Sequence, residues 1–486
     1  MSKAYIIGTG PGDEELLTLK AIRVLKKCTA VMYDRLGASN ILNHINDDCL
    51  VYYCGKKPGA HSMKQEEIND LLVKLVKEGH TVGRIKGGDP YVFGRGGEEV
   101  LSLRKEGLDF EVVPGVTSPI SVLNYAGIPI THRGIAQSFH IVTGMSAKSL
   151  NVDFEALAKE TGTLVFMMGL ENLEFIKDSL IKNGKDKNTK SAVVMKGTSS
   201  KQKKVIGTLE NIVEKVKEAK LESPCIICVG EVVSLNEDLD WYENKPLFGK
   251  NICITRSKKQ SKSLKEKLWD LGAEVTEINT IKIEKNLEEL KRLKDLDKYT
   301  QILFTSANGV DIFFDYLRSK EIDIRSIKAS ISVIGNGTKK ALIKRGIFPN
   351  VVSKRFIQEG LFEAVNDIIK PTDKVLLPTS KKARNYLKEE IENLGCKVDR
   401  VDIYDTVSGS FYQKDRFNEV DYILFTSPTT VINLIDMVGV DSIKEKNIIA
   451  IGPQTGRELE KNNIKPIVCK KHSEDGFIEE IKDIIK

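Results

Sequence analysis

The chain has 486 residues, 41% hydrophobic and 29% charged, ordinary proportions for a folded α/β-sized protein of about two to four domains. Its formal net charge of +6, from 74 Lys and Arg against 68 Asp and Glu, suits an anionic small molecule and gives no ground for nucleic-acid binding. No apolar run approaches the ~18 residues of a membrane span, and the start Met1–Gly8 lacks a signal-peptide apolar region, so a cytoplasmic protein is expected.

Strand-like and helical patterns alternate along the chain, which implies α/β architecture. Ala4–Gly8 reads as a short strand leading into Gly8-Thr-Gly-Pro-Gly-Asp13, a tight turn in which glycine lets the backbone approach a ligand. Leu16–Lys27 has helical spacing, and Ala30–Tyr33 is a strand that ends on the charged pair Asp34-Arg35, where α/β sheets bind ligands. Ile68–Lys77 is an amphipathic helix with Ile68, Leu71, Leu72, Leu75 and Val76 on one face. The strand Thr81–Ile85 runs into a glycine-rich segment, Arg84 to Glu98, whose glycines expose backbone donors and carbonyls. In Val112–Pro119, Thr117 and Ser118 either cap the next helix or bond a cofactor. Cys225 and Cys228 have CxxC spacing inside a strand-like run, a poor setting for zinc or redox chemistry, and no metal site is expected. The polar stretch Asn236–Pro246 reads as a linker, after which the strand Asn251–Thr255 begins a new region.

The second half is internally duplicated. Ile302–Val310 resembles Ile423–Val431, Ile331–Thr338 resembles Ile448–Thr455, and Ile252–Lys259 resembles Val375–Lys382. Two lobes on one plan are predicted, with a ligand in the cleft between them.

The motif order GTGPGD, YDRL, GKKPGAH, QEEIN, IKGGDPYVFGRGGEE, VVPGVTS, AGIPITHR, TLVFMMG and KGTS, over about residues 3–235, resembles that of the uroporphyrinogen-III C-methyltransferases. The resemblance implies the tetrapyrrole methylase fold, two α/β lobes with S-adenosylmethionine between them and S-adenosylhomocysteine as product. Carried over by position, it implies that Pro11, Gly87, Gly88, Asp89, Val92, Thr117, Ser118, Met168 and Gly197 contact the cofactor, with Asp34 as proton acceptor and Lys56 as proton donor. Met145, Met167 and Gly83 depart from the family pattern, and Met167 adjoins an implied cofactor contact. Arg35, Lys56, Lys57, Arg84, Lys86, Arg95 and Arg133 are candidates to hold the carboxylates of uroporphyrinogen III. Methylation at C2 and C7 to precorrin-2, and a homodimer through this half, are likewise implied.

Over about 249–486 the duplicated FTS and IGxxT pattern, with Tyr404-Asp-Thr406, resembles uroporphyrinogen-III synthase, a two-lobed flavodoxin-like fold. That resemblance implies cyclisation of hydroxymethylbilane with inversion of ring D. Tyr404 would assist departure of the hydroxyl, and Ser306, Thr338, Ser427 and Thr455 would bind carboxylates. The expected organisation is a methyltransferase domain over 1–240 and a synthase domain over 249–486, with lobe 1 at about 249–283 and 405–486 and lobe 2 at about 284–404. Two alternatives stay open: a methylase acting on a later corrinoid, on RNA or on protein, and a non-catalytic C-terminal module.

Overall fold

The computed structural model describes residues 2–34, 41–46, 48–55, 63–145, 152–255, 258–355, 357–409 and 417–485. It divides into two compact units, one of Met1–Ile278 with Tyr412–Lys486 and one of Asn279–Phe411. No helix among the described residues is long and apolar enough to cross a membrane.

In the first unit, β1 (Lys3–Gly8), β2 (Ala30–Tyr33), β3 (Leu50–Tyr53), β4 (Thr81–Lys86) and β5 (Phe110–Val113) form a parallel sheet of order β3-β2-β4-β1-β5. The two-residue period of a strand sends Ile7, Val31 and Ile85 into one core cluster and Ile6, Met32 and Val82 into another. Burial on both faces is the usual setting of a parallel sheet. The helix Gln65–Lys77 covers one face through Ile68, Leu72, Leu75 and Val76. It starts three residues before the predicted Ile68, because the Glu67 carboxylate accepts from the Lys64 amide at 2.6 Å and extends the first turn. The helix predicted over Leu16–Lys27 is divided instead. The Thr18 hydroxyl accepts from the Ala21 amide at 3.1 Å, so a short 3₁₀ turn at Glu14–Leu16 precedes a helix at Leu19–Leu25.

A second sheet follows with β6 (Phe139–Thr143), β7 (Thr163–Met167), β8 (Lys190–Met195), β9 (Lys203–Thr208) and β10 (Cys225–Val229), in the order β6-β7-β10-β8-β9. Only β6 and β7 run parallel in it. Cys225 and Cys228 lie buried in β10, and burial pushes both thiols up to about 12, so neither is a thiolate near neutral pH. Among the described residues no group of His, Cys, Asp and Glu is arranged to hold a metal ion.

The predicted linker is instead folded onto this region. Tyr242 is buried and packs at a tilt against Tyr125, with ring centroids 4.7 Å apart, and Asp240 accepts from Lys204 Nζ at 2.7 Å. The side chain of Asn236 donates to the carbonyl of Ala126.

The duplication is visible as topology. β11 (Asn251–Ile254) and β12 (Glu274–Glu277) belong to the first unit. The second unit holds β13 (Ile281–Lys285), β14 (Gln301–Phe304), β15 (Ser330–Ile334), β16 (Val351–Ser353), β17 (Lys374–Ser380) and β18 (Lys397–Ser408). The chain then returns to the first unit with β19 (Tyr422–Phe425), β20 (Asn447–Ala450) and β21 (Ile467–Val468). The sheet β12-β11-β19-β20-β21 and the run β18-β17-β14-β15-β16 share one order, and the second unit adds β13 antiparallel to β18. That ladder, from Ile281↔Ser408 to Lys285↔Tyr404, keeps both strands whole in one unit. The two chain crossings therefore fall at 278/279 and 411/412 rather than near 283/284 and 404/405.

Candidate active site

The C-terminal ends of β1, β2, β4 and β5 lie along one edge of the first sheet, the edge at which open α/β sheets hold ligands. Three backbone segments meet there more closely than side chains allow. A Cβ on Gly115 would lie 2.2 Å from the Gly88 carbonyl oxygen, and one on Gly8 would lie 2.5 Å from the Gly115 nitrogen. Gly88, at φ +66°, exchanges hydrogen bonds with Gly10: its amide donates at 2.7 Å and its carbonyl accepts at 3.2 Å. Asp89 fastens the assembly, one carboxylate oxygen accepting from the Gly115 amide at 3.1 Å and the other from the Tyr91 amide at 2.8 Å. Gly87, Val92 and Pro11 sit half-buried in the same loops. Thr117 occupies the N-cap position of the helix Ser118–Tyr125, but its hydroxyl makes no capping bond.

In the second sheet Met168 directly follows β7, and Gly197 lies two residues after β8. Met168 and Thr198 hold φ of +54° and +69°. Such a conformation is costly for a β-branched residue and is commonest where the surroundings impose it for a purpose. Gly197 packs so tightly on the helix Ser118–Tyr125 that a Cβ would fall 2.4 Å from a Val122 methyl. The Thr198 hydroxyl is buried with no hydrogen-bond partner among the described residues and lies 3.5 Å from where a Cβ of Gly12 would stand. An orphaned buried hydroxyl costs about 1–3 kcal/mol unless something bonds it. Glycine-lined strand ends and the buried, unpartnered Thr198 hydroxyl make a polar setting, and S-adenosylmethionine, with its ribose hydroxyls and amino-acid tail, carries groups that can bond that hydroxyl.

Asp34 follows β2 on the same edge, its side chain 30% exposed. Arg84 Nη2 donates to it at 3.3 Å. Arg84 and Lys86 are not free to hold a substrate, contrary to expectation. They are 3% and 5% exposed, and both donate to Oε1 of the wholly buried Glu99 at 2.9 Å. Burial works against the Arg84 charge, but Glu99 and Asp34 outweigh it and raise its pKa. Burial, then Arg84, lower that of Lys86. Arg95 and Arg133 are exposed; Arg95 makes a two-point contact with Glu98, at 2.8 and 2.7 Å. Arg35, Lys56 and Lys57 lie outside the described residues.

Sequence reasoning missed Glu99, Thr198 and the Asp13–Tyr125 pair, in which the phenol donates to the carboxylate at 2.7 Å. Glu99 carried a faint signal: in the helix Gly96–Lys105 it falls on the inward face with Val100 and Leu103.

In the second unit, Tyr404 and Ser306 meet, their hydroxyl oxygens 2.8 Å apart. Ser306 Oγ also accepts from the Gly309 amide at 3.0 Å, so it caps the helix Ala307–Ser319 as well. Burial raises the Tyr404 pKa against the opposing pull of Ser306, and the phenol keeps its proton near neutral pH. In the first unit Ser427 likewise caps the helix Pro428–Val438, accepting from Thr430 at 3.3 Å. Thr338 and Thr455 are buried in the first turns of their helices, so little of either hydroxyl reaches the surface.

Comparison with known proteins finds two family matches in succession along the chain. The Tetrapyrrole (Corrin/Porphyrin) Methylases match residues 3–213, and Uroporphyrinogen-III synthase HemD matches residues 262–479. The porphyrin biosynthesis protein HemD of Ruminiclostridium josui is 36% identical over 99% of this chain and 97% of its own length. A uroporphyrinogen-III C-methyltransferase of Bacillus subtilis (strain 168) is 40% identical over 75% of this chain and 77% of its own. A solved uroporphyrin-III C-methyl transferase from Thermus thermophilus, complexed with S-adenyl homocysteine, is 40% identical, with a TM-score of 0.41, over 48% of this chain and 99% of that one.

Fold and site thus define a methyl-transferring α/β module joined to a second enzyme module built from a duplicated α/β lobe. The chain belongs to the fused tetrapyrrole biosynthesis family in which a uroporphyrinogen-III C-methyltransferase precedes a uroporphyrinogen-III synthase. S-adenosylmethionine is the methyl donor of its first module and S-adenosylhomocysteine the product.

Proposed function

We propose that this chain cyclises hydroxymethylbilane to uroporphyrinogen III, inverting ring D, and methylates that product at C2 and C7 to give precorrin-2. The observation that carries the methylation is the placement of Asp34 on the sheet edge where Gly8, Gly88 and Gly115 are in backbone contact.

Bound S-adenosylmethionine supplies an electrophilic methyl group on sulfur. Gly87, Gly88 and Asp89, with Pro11, Val92, Thr117, Ser118, Met168 and Gly197, hold it through backbone groups and hydroxyls. Asp89 acts through its backbone, because its carboxylate is already spent on two loop amides. Thr198 joins this set through its orphaned hydroxyl. Attack by a pyrrole carbon leaves positive charge on the ring. The Asp34 carboxylate, oriented by Arg84 and through it by Glu99, stabilises that charge and takes the proton. Lys56 serves as proton donor. Arg35, Arg95 and Arg133 meet substrate carboxylates, Arg95 by exchanging its contact with Glu98. Positioning of the two reactants supplies most of the acceleration.

In the synthase module the protonated Tyr404 phenol, hydrogen-bonded to Ser306, assists departure of the substrate hydroxyl. Ser306 and Ser427 receive carboxylates, together with the helix starts that hold Thr338 and Thr455. The protein acts in the cytoplasm as a homodimer through its methyltransferase half, and binds no nucleic acid. Incubating the full chain with hydroxymethylbilane and S-adenosylmethionine, with products identified by mass and isomer analysis, tests the reading. Dimethylated type III product is expected; type I isomer alone, or no label transferred from methyl-labelled cofactor, would refute the corresponding half. Light scattering checks the dimer.

A further inference from the structure

Two loops of the proposed cofactor cradle are held by residues of the synthase module. The turn Gly8–Asp13 continues directly into Glu14, whose carboxylate is almost fully buried. Its Oε1 accepts from Lys265 Nζ at 2.8 Å, on the helix Lys258–Asp270, and is 2.8 Å from His44 Nε2. Lys265 is itself buried and donates at 3.0 Å to Glu277, at the end of the edge strand β12. The other end of β12 grips the second loop. Glu274 Oε2 accepts from both the amide and the hydroxyl of Ser200, at 2.9 and 2.7 Å, two residues after Thr198. The two loops are also joined to each other. Thr198 N–H donates to Gln202 at 2.9 Å, Gln202 Nε2 donates to the carbonyl of Tyr125 at 3.1 Å and to Glu243 at 2.8 Å, and the Tyr125 phenol donates to Asp13.

We propose that Lys265 and Glu274 are positioning residues of the methyltransferase, fixing the Pro11–Glu14 and Gly197–Ser200 loops at the spacing the cofactor requires. The inference rests on the cofactor location proposed above. Its physical basis is that a buried ammonium shared by two buried carboxylates is not dispensable glue: without the Lys265 charge, Glu14 and Glu277 face each other as like charges and are driven apart, and without the Glu14 charge the loop loses its ion pair to the helix. A contact serving only to join modules would engage surfaces remote from the cradle. Here the engaged groups are Glu14 and Ser200, each within three residues of a cradle residue. The first synthase lobe would thus form part of the methyltransferase site, and a methyltransferase half expressed alone would lack two of its braces.

The test uses the full chain carrying Lys265→Met, Glu274→Gln or Glu14→Gln, with steady-state methylation of uroporphyrinogen III and calorimetric binding of S-adenosylhomocysteine. We expect the KM for S-adenosylmethionine to rise about tenfold, within the range typical of coupled sites, while kcat stays within about twofold. Glu14→Gln and Lys265→Met should be strongly non-additive in S-adenosylhomocysteine affinity. Retained synthase turnover shows that the lobe is folded; if Lys265→Met loses it, Glu274→Gln, which removes only a charge, decides alone. An unchanged KM in a folded variant, even with a lowered melting temperature, overturns the proposal. Gly115→Ala separates the two readings, since its Cβ would strike the Gly88 carbonyl. Unchanged S-adenosylhomocysteine affinity in that variant faults the cofactor location itself. Lost affinity there, with normal affinity in Lys265→Met and Glu274→Gln, faults only the bracing.

Discussion

Replacing Glu99 by Gln keeps its shape and one carbonyl acceptor but removes the charge on which Arg84 and Lys86 converge. Both cations are buried and both lie 2.9 Å from Oε1, while Oε2 has no hydrogen-bond partner among the described residues. The amide can place its NH₂ at the Oε2 position, so the hydrogen-bond geometry survives and the loss is electrostatic. Lys86 limits that loss by giving up its proton. Its ordinary pKa of 10.5 sits about 3.5 units above neutrality, so discharging it costs at most about 5 kcal/mol, and less here because burial and Arg84 already lower its pKa. A destabilisation of about 2–4 kcal/mol follows, consistent with the cost of breaking buried ion pairs. At about 2–4 °C per kcal/mol for modules of this size, the methyltransferase transition should move down by roughly 5–15 °C. Differential scanning calorimetry of the full chain, with the synthase transition as internal reference, measures it. A neutral acceptor also holds Arg84 less firmly toward Asp34, so kcat should fall about 10–100-fold with little change in cofactor affinity. A variant within about 0.5 kcal/mol of the parent would show that Glu99 is not the keystone of this cluster.

Asp34→Asn should lower methylation kcat by about 10²–10⁴-fold, as expected for loss of a proton acceptor, and leave S-adenosylhomocysteine affinity unchanged by calorimetry. Thr198→Val should weaken S-adenosylhomocysteine binding about 2- to 10-fold, one net hydrogen bond, without lowering the apo melting temperature, since the hydroxyl lost has no partner in the protein. Tyr404→Phe should slow hydroxymethylbilane cyclisation and leave methylation of added uroporphyrinogen III untouched, read by separate assays of the two steps. Burial raises the Glu14 pKa, but His44 and Lys265 outweigh it and hold it below the ordinary 4.5. Its contribution to stability is therefore complete above about 4.5 and is lost as pH falls through the lower folded value, so Glu14→Gln should flatten the acid limb of the melting temperature against pH.

The strand ends and the glycines were legible in the sequence because both are local: a short apolar run followed by glycine states a strand and a close backbone approach together. Asp34 was legible for the same reason, being the first charge after β2. What the cations do was not legible. Arg84 and Lys86 read as substrate ligands by composition, but alternation within β4 and an inward turn of the helix Gly96–Lys105 bring them to Glu99. That convergence depends on tertiary packing. The stretch around Asn236–Pro246 looked like a linker because it is polar, yet Asp240 and Glu243 answer Lys204 and Gln202 from distant sequence. The duplicated FTS turns were visible as a pattern. Their serines serve as helix caps, a use the same residues have in many helices, so the pattern alone did not separate cap from ligand.

The most direct test of the methyltransferase assignment is a crystal structure of the full chain with S-adenosylhomocysteine. The ligand is expected to lie against Gly87, Gly88 and Asp89, to bond the Thr198 hydroxyl, and to turn its sulfur toward Asp34. A ligand seated away from that sheet edge, leaving Thr198 unbonded, would contradict it.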